Sequence, residues 1–302
     1  MRVFAIGATG VLGREVVPLL GKRGHEVTVM APDRLEQLPD GVTKVRRGLL
    51  DDDLDLVSLL AGHDCVVNMA TSMPRDFSAP GAWEENTRIR REGTRRLVEG
   101  LRSAGVSRLV QMSITMAYAD GGHSWIGEDA AFDTDPAREA VVRPIAELES
   151  VVSRVPPAEV AWTILRAARF VGPGTLQDVQ RQRLAQGALP IPGDGSSFLA
   201  LVHVADFADA VVAAVEQGLA GQICNVADTP VQVGDYLQRL ARLEGAPPPV
   251  YDPDLPPDMP SHRVDSSVAR SRLGWRPRRG VLPKTGEFGR DRPEAVSRVA
   301  RQ

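Results

Sequence analysis

Three glycines spaced three apart, Gly7, Gly10 and Gly13, lie in the segment Val3-Phe4-Ala5-Ile6-Gly7-Ala8-Thr9-Gly10-Val11-Leu12-Gly13. A short apolar run enters them and a run of helical period leaves, so the segment reads strand, turn, helix. Each glycine then has a task. Gly7 permits a tight turn, Gly10 lets backbone N–H groups approach a pyrophosphate, and Gly13 allows close packing of helix on strand, with the helix N-terminus facing the anion. The chemistry implied is the holding of a dinucleotide, with Thr9, Val11 and Leu12 lining the phosphates. Cofactor choice turns on the end of the next strand, Met30-Ala31-Pro32-Asp33-Arg34. An acidic residue there binds ribose hydroxyls, whereas an arginine accepts a 2′-phosphate. Asp33, about 20 residues beyond the glycines, favours NAD. Arg34, aimed by a proline-bent turn, favours NADP, and NADP(H) over NAD(H) is the expectation adopted.

Such a loop needs a sheet to carry it. Short β-branched runs recur at Val3 to Ile6, Val27 to Met30, Cys65 to Ala70, Leu109 to Met112, Trp162 to Leu165 and Leu201 to Val204. Between them lie stretches with apolar residues every three or four positions: Val11 to Leu20, Asp53 to Leu60, Trp83 to Ser103 and Asp206 to Gln217. Alternation of this kind predicts a Rossmann-type α/β fold, a doubly wound parallel sheet covered by helices. After Arg166 the pattern loosens into Gly172-Pro173-Gly174, then Pro190, Pro192, Gly193 and Gly195, and Ala246 to Pro260 is too rich in proline for a long helix. Residues 1–168 are expected to form the dinucleotide-binding domain and 169–302 a smaller substrate-binding lobe, with about 199–228 returning to the first sheet.

Bulk properties exclude several classes. With 302 residues, 43% hydrophobic and 25% charged, the chain is an ordinary globular one, and a net charge of -3 gives no electrostatic reason to bind nucleic acid. Cys65 and Cys224, far apart and without CxxC spacing, suggest neither disulfide nor zinc. The apolar run at the N-terminus is too short for a signal peptide and no stretch long enough to span a membrane follows, so a cytoplasmic location is expected. The only lysines are Lys22, Lys44 and Lys284.

The chain resembles the extended short-chain dehydrogenase/reductases. The resemblance rests on the GxxGxxG turn, Asn68-Met69-Ala70-Thr71, Leu109 to Ser113, Leu165-Arg166 leading to Gly172-Pro173-Gly174, His203-Val204-Ala205-Asp206, Asn225-Val226-Ala227 and Leu273-Gly274-Trp275-Arg276-Pro277. These occur in the family's order over about residues 1 to 280. The resemblance implies further cofactor contacts at Leu50, Met69, Ala70, Thr71, Met112, Ala168 and Phe170. It implies a substrate wall from Ser72, Met73, Ser113, Tyr118, Trp125, Phe170, Phe198 and Tyr251.

The family's chemistry rests on a tyrosine with a lysine four residues later, and this chain departs from it. Its tyrosines, Tyr118, Tyr236 and Tyr251, are followed at that spacing by Gly122, Leu240 and Leu255. Aligning Glu149 with the glutamate that usually follows the lysine places Val141 at the tyrosine position and Ile145 at the lysine position. Ser113 is the candidate for the family's serine; satisfying local backbone at a strand end is the other reading. Tyr118 reads first as a packing residue.

Other constellations look structural. Asp51, Asp52, Asp53 and Asp55 complement a helix dipole, and His203 with Asp206 matches a structural family segment. Arg90, Arg91, Arg95 and Arg96 are expected on a solvated helix face with Glu92 and Glu99. No GxSxG or GxxxxGK[ST] motif is present. The expectation that follows is an NAD(P)H-dependent ketoreductase acting on a bulky aromatic secondary metabolite, with the proton supplied by the substrate itself. Tyrosine-less short-chain reductases that tailor aromatic polyketides offer the analogy. A non-catalytic NADP-binding sensor of the NmrA-like type is the alternative, and epimerase or dehydratase chemistry is weakened by the absent tyrosine. A small-molecule substrate is the partner expected, and the sequence fits either a monomer or a homodimer.

Overall fold

The computed structural model describes residues 1–74, 79, 81–257 and 259–282. Its first strands are β1 (Arg2–Ile6), β2 (Glu26–Ala31), β3 (Thr43–Arg46), β4 (Cys65–Asn68) and β5 (Arg108–Ile114), then the two-residue β6 (Trp125–Ile126) and β7 (Ala161–Ala167). The remainder are short apart from β12: β8 (Arg169–Val171), β9 (Ile191–Pro192), β10 (Phe198–Leu199), β11 (Leu201–His203), β12 (Gln222–Val226), β13 (Val231–Gln232), β14 (Tyr251–Asp252) and β15 (Arg263–Val264). The helices are α1 (Gly13–Lys22), α2 (Leu56–Leu60), α3 (Glu84–Arg88), α4 (Thr94–Ser103), α5 (Glu139–Ser153), α6 (Leu176–Ala185), α7 (Val204–Gln217), α8 (Val233–Glu244) and α9 (Ser267–Arg272).

Seven strands form one parallel sheet in the order β12-β7-β5-β4-β1-β2-β3, so the fold is the doubly wound α/β arrangement expected. Its inner strands β1 and β4 are apolar at successive positions because both faces are covered. In β1, Val3 and Ala5 join the core beneath α1 and α7, while Phe4 and Ile6 join the core beneath α2, α4 and α5. The strand order reverses between β1 and β4, which opens a crevice at their carboxyl ends, the place where such sheets bind ligands.

A third core, with Val171, Leu184, Ile191, Leu199, Tyr236 and Leu240, holds α6 and α8 together beyond the sheet. The chain leaves the sheet after β7, and α7 and β12 bring it back, α7 packing along α1. Two sequence expectations need correction. The Gly172 to Gly195 stretch is not all loop: α6 lies inside it, capped by Thr175 Oγ1 accepting from Gln177 N, and no glycine or proline falls between Thr175 and Gln186. The run expected as a strand over Leu201 to Val204 is a strand only over Leu201–His203 and lies outside the main sheet, since β11 pairs with β8 and Val204 opens α7. No described helix is long and apolar enough to cross a membrane.

Candidate functional site

The turn after β1 is built as its glycines require. Gly7 has φ 78°, and a Cβ there would lie 2.7 Å from the backbone carbonyl carbon of Met69. At Gly13 a Cβ would come within 2.5 Å of Ala8 Cα, so α1 starts flush against the strand. Gly10 differs: its Cβ would meet only Gly7 O, at 3.4 Å, and the space beyond is open. The loop is therefore a backbone-lined cradle at the N-terminus of α1: Arg14 N bonds Gly10 O, whereas among the described residues the N–H groups of Thr9, Val11, Leu12 and Gly13 meet no backbone carbonyl. A pyrophosphate fits it, with Thr9, Gly10, Val11 and Leu12 around the anion. Met69, Ala70 and Thr71 follow β4 on the opposite side of the crevice, Met112 lies in β5, Ala168 directly follows β7, and Phe170 lies in β8. Leu50 is half-buried behind β3.

At the other end of the crevice Arg34 adopts the left-handed conformation, φ 53°, and its Nε donates to Asp33 Oδ1 at 3.2 Å. Both side chains are exposed, so the acid and the base that argued for different cofactors are partners here. A second arginine joins them. Arg46 ends β3 opposite Ala31, and its Nη1 donates to Pro32 O at 3.4 Å. Sequence reading missed Arg46 because β3 itself was not recognised: Thr43-Lys44-Val45-Arg46 is a mostly polar edge strand without an apolar run.

The two α5 positions that the resemblance matches to the family's tyrosine and lysine carry apolar side chains. Val141 and Ile145 lie on α5, Val141 half-buried and Ile145 buried. One turn later Glu149 is buried and forms a two-pronged pair with Arg166: Nε to Oε1 at 2.9 Å and Nη2 to Oε2 at 2.7 Å. Ser113 is buried as well and donates its hydroxyl to Glu149 Oε1 at 2.5 Å, so its partner is a carboxylate across the sheet rather than local backbone. Tyr118 is a correction. It is fully buried and cannot line a substrate cleft; its hydroxyl donates to Asn225 Oδ1 at 2.7 Å and accepts from Arg166 Nη1 at 2.5 Å. Arg166 also lies 5.1 Å from the centre of the Tyr118 ring and 4.8 Å from that of Phe132. Tyr118 and Arg166 thus imitate a phenol beside a cation, but burial is the dominant influence and raises the phenol's pKa. Arg166, held by Glu149 and Tyr118, stays protonated.

The candidate substrate wall is partly assembled. Phe198, Thr115, Met116, Arg169, Met259 and His262 line a narrow cleft with room for about one water. At its rim Arg263 lies over the exposed Trp125 ring at 4.3 Å and beside Phe198 at 5.3 Å. Phe170 packs edge-on to Phe207 at 5.2 Å. Tyr251 is on β14, half exposed, and accepts from Gln238 Nε2 at 2.9 Å. Ser72 donates to Glu85 Oε2 at 2.6 Å, and Met73 is exposed. His262 was missed by sequence reading. It is buried, donates from Nε2 to Tyr118 O at 3.0 Å, and burial lowers its pKa.

Several dismissed groups are explained by structure. His203 caps α7 by accepting from Ala205 N. Asp206 is not the first residue of that helix; it is fully buried and holds Arg278 N, Arg279 N and Arg279 Nη1. Asp55 caps α2, and among the described residues no three His, Cys, Asp or Glu are grouped to hold a metal. Both cysteines are free and buried, their thiols pushed up to about 12 by that burial. Lys284 lies outside the described residues. The solvated-arginine expectation holds for the exposed Arg95; Arg91 and Arg96 are half-buried and donate to Glu147 and Asp51 O, and Arg90 is buried.

Comparison with known proteins gives this geometry relatives. The profile of the NAD dependent epimerase/dehydratase family matches residues 3–227. A Streptomyces protein named 3-diazoavenalumate denitrifying reductase is 35% identical over 297 residues, covering 92% of this chain and 96% of that one. The 2-alkyl-3-oxoalkanoate reductase of Stenotrophomonas maltophilia is 27% identical, covering 82% and 77%. Among solved structures, MoeE5 in complex with UDP-glucose and NAD superposes with a TM-score of 0.77 at 24% identity, over 93% of this chain and 95% of that one. At that identity the likeness speaks to fold alone.

Proposed function

The chain belongs to the NAD dependent epimerase/dehydratase family, and from that premise we propose a reductase in which hydride reaches an aromatic acceptor without a proton from the protein. It is an NAD(P)-dependent oxidoreductase. One observation carries the finer reading: the acid corner is filled by Val141 and Ile145, and the hydroxyls of Ser113 and Tyr118 are committed to buried partners. The nicotinamide, when bound, supplies the hydride. The protein's share is to hold it, through the Gly7 to Gly13 cradle and the Met69 to Thr71, Met112, Ala168 and Phe170 walls, and to press the acceptor against it. Arg34 and Arg46 at the ribose end support a preference for NADP(H). In the second lobe, Trp125, Phe198 and Arg263 offer flat, cationic surfaces to an aromatic ring. A bulky acceptor requires Phe198 and Met259 to part, since the cleft between them is narrow.

An acceptor that needs no proton suits such a site best. In an aryl diazonium the ring carbon gains the hydride, the carbon–nitrogen bond breaks, and dinitrogen leaves, so the charge is discharged with no acid consumed. The relative named a diazo-removing reductase favours this acceptor class. A second reading, ketone reduction, is favoured by the oxoalkanoate reductase; there the proton comes from a hydroxyl on the substrate beside the carbonyl. Oxidation of NADPH is followed with a diazonium-bearing aromatic acid and with an ortho-hydroxyaryl ketone, measuring dinitrogen in parallel. Stoichiometric dinitrogen supports the first, and alcohol formation from the ketone supports the second. Binding of NADPH without turnover of any acceptor in either series would return the protein to a sensor.

A further inference from the structure

Arg90 lies in a π-turn, Ile89–Gly93, that joins α3 to α4. It is 9% exposed, and among the described residues no hydrogen bond or ion pair engages its guanidinium. Arginines are seldom buried without a partner, because removing the charge from water is costly. Charged neighbours in sequence are paired elsewhere, while Thr94 Oγ1, one turn on, is buried without a hydrogen-bond partner. Arg91 holds Glu147, which also takes Arg143; Arg88 holds Glu92; and Glu85 takes Ser72. Burial alone acts on Arg90, lowering its pKa to about 10, so it remains a cation at neutral pH.

Its direction follows from helix geometry. Asn86, Arg90, Thr94, Leu97 and Leu101 recur every three or four residues and are buried, so they form the stripe turned toward the sheet. Leu97 and Leu101 rest on the core that includes Ile6, Leu109 and Ile164. Arg90 is two turns nearer the helix start, which lies at the carboxyl ends of the strands. Asn86, one turn earlier, accepts from Ser72 N at 3.2 Å and fastens this helix start to the loop after β4. The Gly7 cradle opens against the same loop, at Met69 and Ala70. Arg90 is on the α4 side of the sheet, away from the α1 N-terminus that suits a pyrophosphate. A π-turn swells the helix at the residues it contains and is frequent at functional sites.

We propose that Arg90 is an anion-binding residue of the site, receiving a carboxylate or phenolate oxygen of the acceptor and fixing the ring beside the nicotinamide. The ligand class is an aromatic acid. That identity rests on the reductase reading; the presence of an anion subsite does not. Among the described residues no acidic side chain pairs with Arg90, and a planar guanidinium suits a carboxylate by two parallel bonds.

The test uses the full chain saturated with NADP+ and titrated with 4-hydroxycinnamate or its methyl ester. The wild type binds the acid about tenfold or more tightly than the ester, and Arg90→Gln brings the two within about twofold, while the Kd for NADPH stays within about twofold. Arg90→Met gives the same loss of discrimination with an unchanged or higher Tm, because a desolvated charge is removed. Three results overturn the assignment: no preference for the acid in the wild type, a preference that survives both substitutions, or a tenfold loss of NADPH affinity with acid discrimination intact, which would make the cofactor the source of the anion. If no acceptor is ever reduced yet the acid preference depends on Arg90, the reductase reading fails and the anion subsite stands.

Discussion

Ser113 and Tyr118 carry the hydroxyls closest in sequence to the place where a proton donor is needed, and each is tied to a buried charged group. Replacing a true general acid costs about 10² to 10⁴ in rate. Ser113→Ala, Thr115→Ala and Tyr118→Phe are expected to keep kcat within about tenfold of wild type, a loss smaller than that range. Tyr118→Phe should instead lower stability by about 1–3 kcal/mol, because Asn225 and one arm of Arg166 lose a buried partner. Steady-state kinetics and thermal melts on the same preparations separate the two effects. A thousandfold fall in kcat, with the fold intact, would put the acid back on the protein. Gly10 and Gly13 make a second contrast. Gly10→Ala meets only Gly7 O and should fold normally while weakening NADPH about tenfold or more, whereas Gly13→Ala strikes Ala8 backbone and should lower Tm itself. At the ribose end, NADPH should bind more tightly than NADH, and Arg34→Ala should remove most of that preference, as read by fluorescence titration of both nucleotides.

At the scale of elements, the glycine turn, the sheet strands and the absence of a tyrosine–lysine pair were legible, because each is a local pattern of residue types. The strand β3 was not: its neighbour β2 covers one edge only, so its sequence carries little apolar signal. Arg90 was misplaced for a related reason. Four arginines within seven residues look like a solvated face, and only the register of the stripe through Leu97 and Leu101 reveals that one of them turns inward. The acid corner was half legible. Val141 and Ile145 could be placed by counting back from Glu149, but the pairing of Glu149 with Arg166 joins α5 to β7, a contact no spacing encodes. The β6 to β15 ribbon gives a pH prediction. His262, just before β15, is buried against Tyr118 O with Arg138 and Asp120 nearby, and its pKa lies below the ordinary 6.5. The unfolded chain then binds the extra proton first, so this contribution to stability is complete above pH 6.5 and is lost as pH falls through the lowered folded value. Tm should climb between pH 5 and 6.5 in the wild type, and His262→Gln should flatten that rise. An unchanged slope would show that other groups set it.

At the scale of the molecule, the end of the described chain is fastened to α7 by a carboxylate. Asp206 on α7 is fully buried and gathers two backbone N–H groups and a guanidinium from Arg278 and Arg279, while Trp275 Nε1 donates to its carbonyl at 2.7 Å. Because α7 also packs along α1, this latch couples the end of the described chain to the helix that faces the cofactor. Asp206→Ala should cost about 2–4 kcal/mol, dominated by the bonds to the two backbone N–H groups since Arg279 is partly exposed. It should lower Tm by about 5–10 °C. Calorimetry would expose two transitions in place of one if the lobes came apart separately.

The apolar pair on α5 also constrains the reverse reaction, which must retrace the forward path. To take hydride back from an alcohol, a site must first accept the hydroxyl proton, and Val141 and Ile145 offer no lone pair to accept it. In the ketone reading the substrate must then serve both ways: the phenolate that gave its proton to the carbonyl takes it back, so NADP+ with the ortho-hydroxyaryl alcohol should give NADPH, faster as pH rises, and the O-methylated alcohol should give none.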